Sequence, residues 1–213
     1  MFVGRTLIPA PHGQLEAIYR PPRDGAERVA LVLHPHPQYG GTMHNKVVYH
    51  AARALEEAGV ATLRINFRGV GASTGVHDAG RGEADDARAG LDFLLAEQPQ
   101  ARAVLVAGFS FGAAVGLRFG CADARVHHLI AIGTPARWLD APLLSRCDRP
   151  IDFVHGERDD VAPLAELDRL LAAAERTAPT ARHVIPEADH FFEGQLDALR
   201  GAIRDVVRRM PEI

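Results

Sequence analysis

The segment Val104 to Ala114 constrains this chain more than any other. Val104 to Val106 opens a short, valine-rich apolar run that reads as a buried strand. Ala113 to Phe119 is a run of small and apolar residues that reads as a buried helix. Between them stands Gly108-x-Ser110-x-Gly112. A strand that becomes a helix within one residue needs a sharp, strained turn. Glycines two before and two after Ser110 remove the Cβ atoms that would collide there. The turn lifts the Ser110 hydroxyl clear of the sheet and sets it at a helix N-terminus, which is the strand-turn-helix context of a nucleophile elbow. The plainer reading is a serine that caps a helix after a buried strand. The rest of the chain must therefore supply an acid, a base and an oxyanion hole.

The other elements follow from hydrophobic periodicity and turn residues. Arg5 to Ile8 and Gln14 to Tyr19 read as an antiparallel hairpin about the turn Pro9 to Gly13, and Pro21 to Glu27 as a polar connection. Strands are expected at Val29–Leu33, Val60–Ile65, His128–Ile132, Ile151–Val154 and His183–Ile185. Helices are expected over Asn45–Ala58 with Val48, Ala52 and Leu55 inward, and over Glu83–Glu97 with Ala87, Leu91, Leu94 and Leu95 inward. Gly59 reads as the glycine that ends the first of these. Glu83, Asp85 and Asp86 read as an acidic first turn of the second. Leu164–Arg176 and Gln195–Arg209 complete the helices, and Thr134–Arg149 reads as irregular with one possible helical turn. Strands alternating with helices predict an α/β fold: a mainly parallel sheet with helices on both faces and an N-terminal antiparallel hairpin. Ligands of such sheets bind beyond the carboxyl ends of the strands. The loops after Leu33, Gly108, Val154 and Ile185 lie there.

The length of 213 residues and a hydrophobic content of 47% suit a single domain spanning residues 1–213 with a full core. A net charge of −3 suggests neither a nucleic-acid nor a membrane-surface partner. The two cysteines, Cys121 and Cys147, lack metal-ligand spacing and read as reduced thiols. Met1 to Gly13 shows no secretory pattern, and no window holds the roughly 18 apolar residues of a membrane span. A soluble cytoplasmic protein is expected; whether it is a monomer or a homodimer is not decidable from sequence.

Ser110 needs a base, because a serine hydroxyl is a poor nucleophile at neutral pH. Of eleven histidines, His190 fits best: it follows the last short strand and precedes the last helix, and Phe191-Phe192 could pin its loop to the sheet edge. His155 lies within a strand's last turn and reads as structural, while His127 and His128 sit at the opposite end of the sheet. His190 in turn needs a carboxylate to hold its tautomer. Asp159 lies deep enough in the loop after Val154 to turn back over the sheet. Asp160 is the runner-up, since it could instead cap the next helix. Asp189 reads as loop-structuring. For the oxyanion hole, Phe111 offers the backbone N–H that follows the nucleophile. His36 offers the second, between Pro35 and Pro37, which have none. A rival reading, a metal site from His34, His36, His44 and His50, lacks a helical pattern such as His-Glu-x-x-His. No metal or cofactor is expected.

The order Ser, Asp, His is that of α/β-hydrolases. The run from His34 through Pro35-His36-Pro37 to Lys46 resembles a signature of small, cap-less bacterial α/β-hydrolases related to dienelactone hydrolase. So do Asn66 to Ser73, Gly108 to Gly112, His155 to Asp159 and Ala188 to Phe192. The resemblance covers nearly the whole chain and implies a carboxylester-hydrolase-like enzyme with Ser110, Asp159 and His190 as triad. Dienelactone hydrolases proper use a cysteine nucleophile, so the serine here departs from them.

The expected function is hydrolysis of small carboxylic esters through an acyl-enzyme on Ser110. A thioesterase or small peptidase would use the same triad, and a non-catalytic binding protein could use the same fold. The segment Gly133 to Arg149 is too short for a helical lid domain. Within it, Trp138, Leu139, Leu143 and Leu144 either line an acyl pocket or pack the loop onto the body.

Overall fold

The computed structural model describes residues 4–22 and 25–211. Part of the connection read at 21–27, and the first three residues of the stretch read for a secretory pattern, lie outside them. Eight strands form one sheet: β1 (Gly4–Ala10), β2 (Gly13–Arg20), β3 (Arg28–Leu33), β4 (Ala61–Ile65), β5 (Ala103–Phe109), β6 (His128–Ile132), β7 (Ile151–Gly156) and β8 (Thr180–Ile185). Their order is β1-β2-β4-β3-β5-β6-β7-β8. The β1–β2 and β2–β4 pairs are antiparallel and all others parallel. The expected fold class is thus observed, hairpin included.

The two faces of the sheet follow from period-two alternation along each strand. In β3, Leu31 and Leu33 enter one core with Leu63, Val104, Val106 and Phe153. Helices α2 (Arg81–Glu97), α3 (Phe111–Ala122) and α5 (Leu164–Ala173) cover that face through Leu91, Leu94, Val115 and Leu167. Ala30 and Val32 enter the other core with Leu105, Ala107 and Ile130. There α1 (Lys46–Glu57) and α6 (Leu196–Arg209) close it with Val48, Leu55, Leu199 and Ile203. Each Val, Leu, Ile or Phe among them, fully buried, contributes on the order of 1.5–3 kcal/mol.

Local chemistry sets the ends of these helices. Asn45 caps α1, its side chain accepting from the Val47 N–H at 2.9 Å, an arrangement worth about 1 kcal/mol. Helix α2 starts two residues earlier than the sequence suggested, at Arg81, so only Glu83 lies in its first turn. Glu83 is fully buried and accepts from the N–H groups of Asp78 and Gly80 at 2.9 and 2.7 Å. Asp86 bonds Arg68 instead of serving the helix end. Helix α5 stops at Ala173 rather than Arg176, because the Arg176 guanidinium turns away to donate to the carbonyls of Leu144, Cys147 and Arg149.

Residues 134–149 hold two short turns where one was expected: a 3₁₀ turn at Ala136–Trp138 and α4 (Ala141–Arg146). The expectation of two reduced thiols is corrected here. Cys121, near the end of α3, forms a disulfide with Cys147, just after α4, across a Cα–Cα distance of 4.9 Å. Nothing local signals this pairing; it requires α4 to fold back on α3. No helix among the described residues is long and apolar enough to cross a membrane. The bridge closes a loop of 26 residues, so reduction is expected to lower stability by about 3.5 kcal/mol. Urea unfolding with and without dithiothreitol measures this, and the Cys121→Ser/Cys147→Ser double variant should match the reduced protein.

Candidate active site

The elbow forms as its residues dictate. Ser110 sits between β5 and α3 at φ 54° and ψ −116°, a region that non-glycine residues enter only when their surroundings hold them there. A Cβ on Gly108 would lie 2.1 Å from the Gly112 carbonyl oxygen, so the strand-to-helix turn closes only without one. A Cβ on Gly112 would lie 2.5 and 2.6 Å from the carbonyl oxygens of Leu33 and His34. The first turn of α3 therefore rests directly on the loop that leaves β3.

That loop is tied down by a buried imidazole. His34 is fully buried; its Nδ1–H donates to the Pro35 carbonyl at 2.6 Å, and its Nε2 accepts the Phe67 N–H at 3.0 Å. Both ring nitrogens are committed to backbone, which removes His34 from the four-histidine metal reading. Asn66 adds a second tie, accepting from Met43 N–H at 2.8 Å and donating to buried Glu16 at 2.8 Å. Ser73 donates to the Asn66 carbonyl at 2.7 Å and accepts from Glu16 N–H at 2.9 Å. The run Asn66 to Ser73 is thus scaffolding that joins β2 to the loops after β3 and β4. Its partner Glu16 lies fifty residues away, so no local pattern identifies it.

Three of the expected site residues come together. His190 Nε2 lies 3.1 Å from Ser110 Oγ, and His190 Nδ1 lies 2.7 Å from Asp159 Oδ2. All three are buried. The other oxygen, Asp159 Oδ1, accepts from the N–H groups of Val161 and Ala162 at 3.1 and 2.7 Å. The carboxylate is fully partnered and faces the ring. Asp160 is exposed and caps no helix among the described residues; the residue before α5 is Pro163. The loops after β7 and β8 are zipped by Glu157 N–H to Ile185 and Arg158 N–H to Ala188, at 3.0 and 2.9 Å, which sets the Asp159–His190 spacing. Asp189 structures its own loop, accepting from Phe191 and Glu193 N–H. Phe192 is fully buried beneath the loop, while Phe191 is exposed at the rim. His155 lies in β7 and donates from Nε2 to the Ala162 carbonyl at 2.6 Å. His128 pairs with Asp152 instead.

Ser110 and His190 open into a cavity of about 500 Å³, which His36, Tyr39, Arg137, Trp138, Val161 and Phe191 also line. The backbone N–H groups of His36 and Phe111 have no acceptor among the described residues. The two rings pack 4.8 Å apart, so these segments adjoin. Burial first, and then neighbouring His77, hold the His36 imidazole below its ordinary value. Of the apolar residues expected near the pocket, only Trp138 lines it. Leu144 is buried in the core and Leu139 packs against it. Arg137 and Val161 carried no signal in the sequence, because single residues of irregular segments have no periodicity to read.

The parallel sheet, the strained serine between β5 and α3, and the absence of an inserted lid between β6 and β7 define an α/β-hydrolase. Residues 27–149 match the hydrolase family described as serine aminopeptidase, S33, and the chain belongs to it. It is 37% identical over 201 residues to the uncharacterized protein RP471 of Rickettsia prowazekii (strain Madrid E), covering 92% of this chain and 84% of that one. Among solved structures, XC6422 of Xanthomonas campestris, described as an α/β serine hydrolase without lid, is 37% identical with a TM-score of 0.87. That match covers 99% of this chain and 96% of the other. ATU1826 of Agrobacterium tumefaciens is 32% identical with a TM-score of 0.90, covering 98% and 100%.

The buried His34 makes the scaffold acid-sensitive. Burial holds its imidazole down at about 4, against 6.5 when exposed. Above pH 6.5 the ring is neutral folded and unfolded, and its two bonds contribute in full. Below that the unfolded chain takes up a proton that the folded chain refuses. Stability from this group therefore falls between pH 6.5 and 4, by up to about 3 kcal/mol, and no further below. Urea unfolding across that range should show a shallower pH slope in His34→Gln, which cannot titrate.

Proposed function

We propose that this protein is a serine hydrolase of small carboxylic esters, with Ser110 as nucleophile, His190 as base, and Asp159 holding His190. The observation that carries this reading is the unbroken chain Ser110 Oγ–His190 Nε2 at 3.1 Å and His190 Nδ1–Asp159 Oδ2 at 2.7 Å. His190 takes the Ser110 proton as Oγ bonds to the ester carbonyl carbon. The developing oxyanion accepts from the N–H groups of Phe111 and His36. As the C–O bond breaks, His190 passes the proton to the departing alkoxide, leaving an acyl-enzyme and free alcohol. Water then gives His190 a proton as its oxygen attacks the acyl carbon, and the acid leaves as the proton returns to Ser110. The motif resemblance to dienelactone hydrolases supports a compact ester substrate.

The family description favours a second reading, an aminopeptidase. Such an enzyme must hold a substrate ammonium, for which a carboxylate is the usual partner. Among the described residues no Asp or Glu lines the cavity, and Arg137 lines it with a positive charge. An ester substrate fits better.

In Ser110→Ala, kcat should drop by about 10⁴-fold or more. Asp159→Asn should lose about 10³- to 10⁴-fold through the wrong imidazole tautomer, and Asp160→Asn far less. Steady-state assays on nitrophenyl acetate check both, and greater damage in Asp160→Asn would overturn the assignment of Asp159. The lidless cavity should favour acetyl to butyryl esters over those of about ten carbons, since it buries few methylenes. A kcat/KM that rises with chain length beyond about eight carbons would contradict this.

A further inference from the structure

One wall of the cavity is built by the 3₁₀ turn Ala136–Trp138. Trp138 stands 5.7 Å from the His36 ring, and the Arg137 guanidinium stacks over the Trp138 ring at 5.2 Å from its centroid. Arg137 Nη1 donates to the Val161 carbonyl at 2.7 Å. Stacking and that bond hold the planar head in place with its other N–H groups unengaged by any described side chain. No carboxylate pairs with Arg137 among the described residues. This sets it apart from Arg68, Arg125, Arg158, Arg182, Arg200 and Arg204, each of which has an acidic partner.

The remaining residues of the cavity wall, among them Pro35, Tyr39, Gly40, Asn45 and Phe191, bear no formal charge, and its two imidazoles belong to His36 and His190. Arg137 is thus the one permanently charged side chain among the described lining residues. The backbone around it is anchored independently: Arg118 donates to the Trp138 carbonyl, and the Cys121–Cys147 disulfide ties the far end of the segment to α3. A guanidinium that is positioned, stacked and without an acidic partner is suited to a planar anion carrying two oxygens.

We propose that Arg137 selects substrates bearing a second, anionic carboxylate, such as half-esters of short dicarboxylic acids. The inference rests on the serine-hydrolase reading above, because it assigns a specificity to that same cavity. The ester is cleaved at Ser110 while the distant carboxylate stays intact and accepts from the guanidinium. Arg137 is exposed, and solvent screens the interaction, which limits the gain to about tenfold in kcat/KM. A substrate with an ammonium in place of the carboxylate is disfavoured by the same charge.

The test compares monomethyl glutarate with uncharged methyl pentanoate. In the native protein the ratio of kcat/KM values, anionic over neutral, should be about ten. It should fall close to one in Arg137→Ala and keep part of its value in Arg137→Lys, which retains charge without the fork. A second arm needs no turnover: glutarate should bind Ser110→Ala about tenfold more tightly than Ser110→Ala/Arg137→Ala by calorimetric titration. Equal kcat/KM values for the two esters in the native protein, or equal glutarate affinity in the paired variants, would overturn the proposal and leave the hydrolase reading standing. If neither ester were cleaved, the hydrolase reading would fail, and the glutarate titration would still decide the role of Arg137.

Discussion

The site depends on the contact between Gly112 and the carbonyls that end β3. Because Gly112 has no Cβ, the first turn of α3 lies within about a side chain's width of Leu33 and His34. Two consequences follow from that one approach. Ser110 is held in a backbone conformation it would not otherwise adopt. The loop carrying His36 is set beside Phe111, and His36 and Ser110 line the same cavity. Any side chain at 112 would push these segments apart.

Buried polar groups then keep the loops at fixed heights over the sheet. His34, Asn66, Glu16 and Ser73 tie the loops after β3 and β4 to each other and to β2, and each sits in the interior. A buried polar group is costly unless fully partnered, so these networks permit few arrangements of the loops. The Asp159 carboxylate follows the same rule: two backbone N–H groups and one imidazole satisfy it. It is thus both a structural staple of its loop and the group positioned to hold His190.

Much of this was legible in the sequence, for definite reasons. Strands such as Val29–Leu33 are continuous apolar runs, and the Gly-Ser-Gly turn admits few geometries. Asp159 and His190 could be picked out because a mainly parallel sheet sends their loops to the same edge as Ser110. The disulfide could not be foreseen, because it joins α3 to a segment with no clear periodicity. The partners of Asn66 and Asp86 were hidden for a similar reason: Glu16 and Arg68 lie distant in sequence from them. Arg137 was missed because a lone arginine in an irregular segment carries no pattern.

The proposed role of Ser110, an activated nucleophile, can be read directly by covalent labelling. A fluorophosphonate probe reacts with a serine whose proton is drawn off by a neighbouring base, and peptide mapping then locates the adduct. A single label is expected on Ser110 in the native protein, abolished in Ser110→Ala and strongly slowed in a His190→Ala variant that folds normally. A label on another residue, or none on well-folded protein, would contradict it.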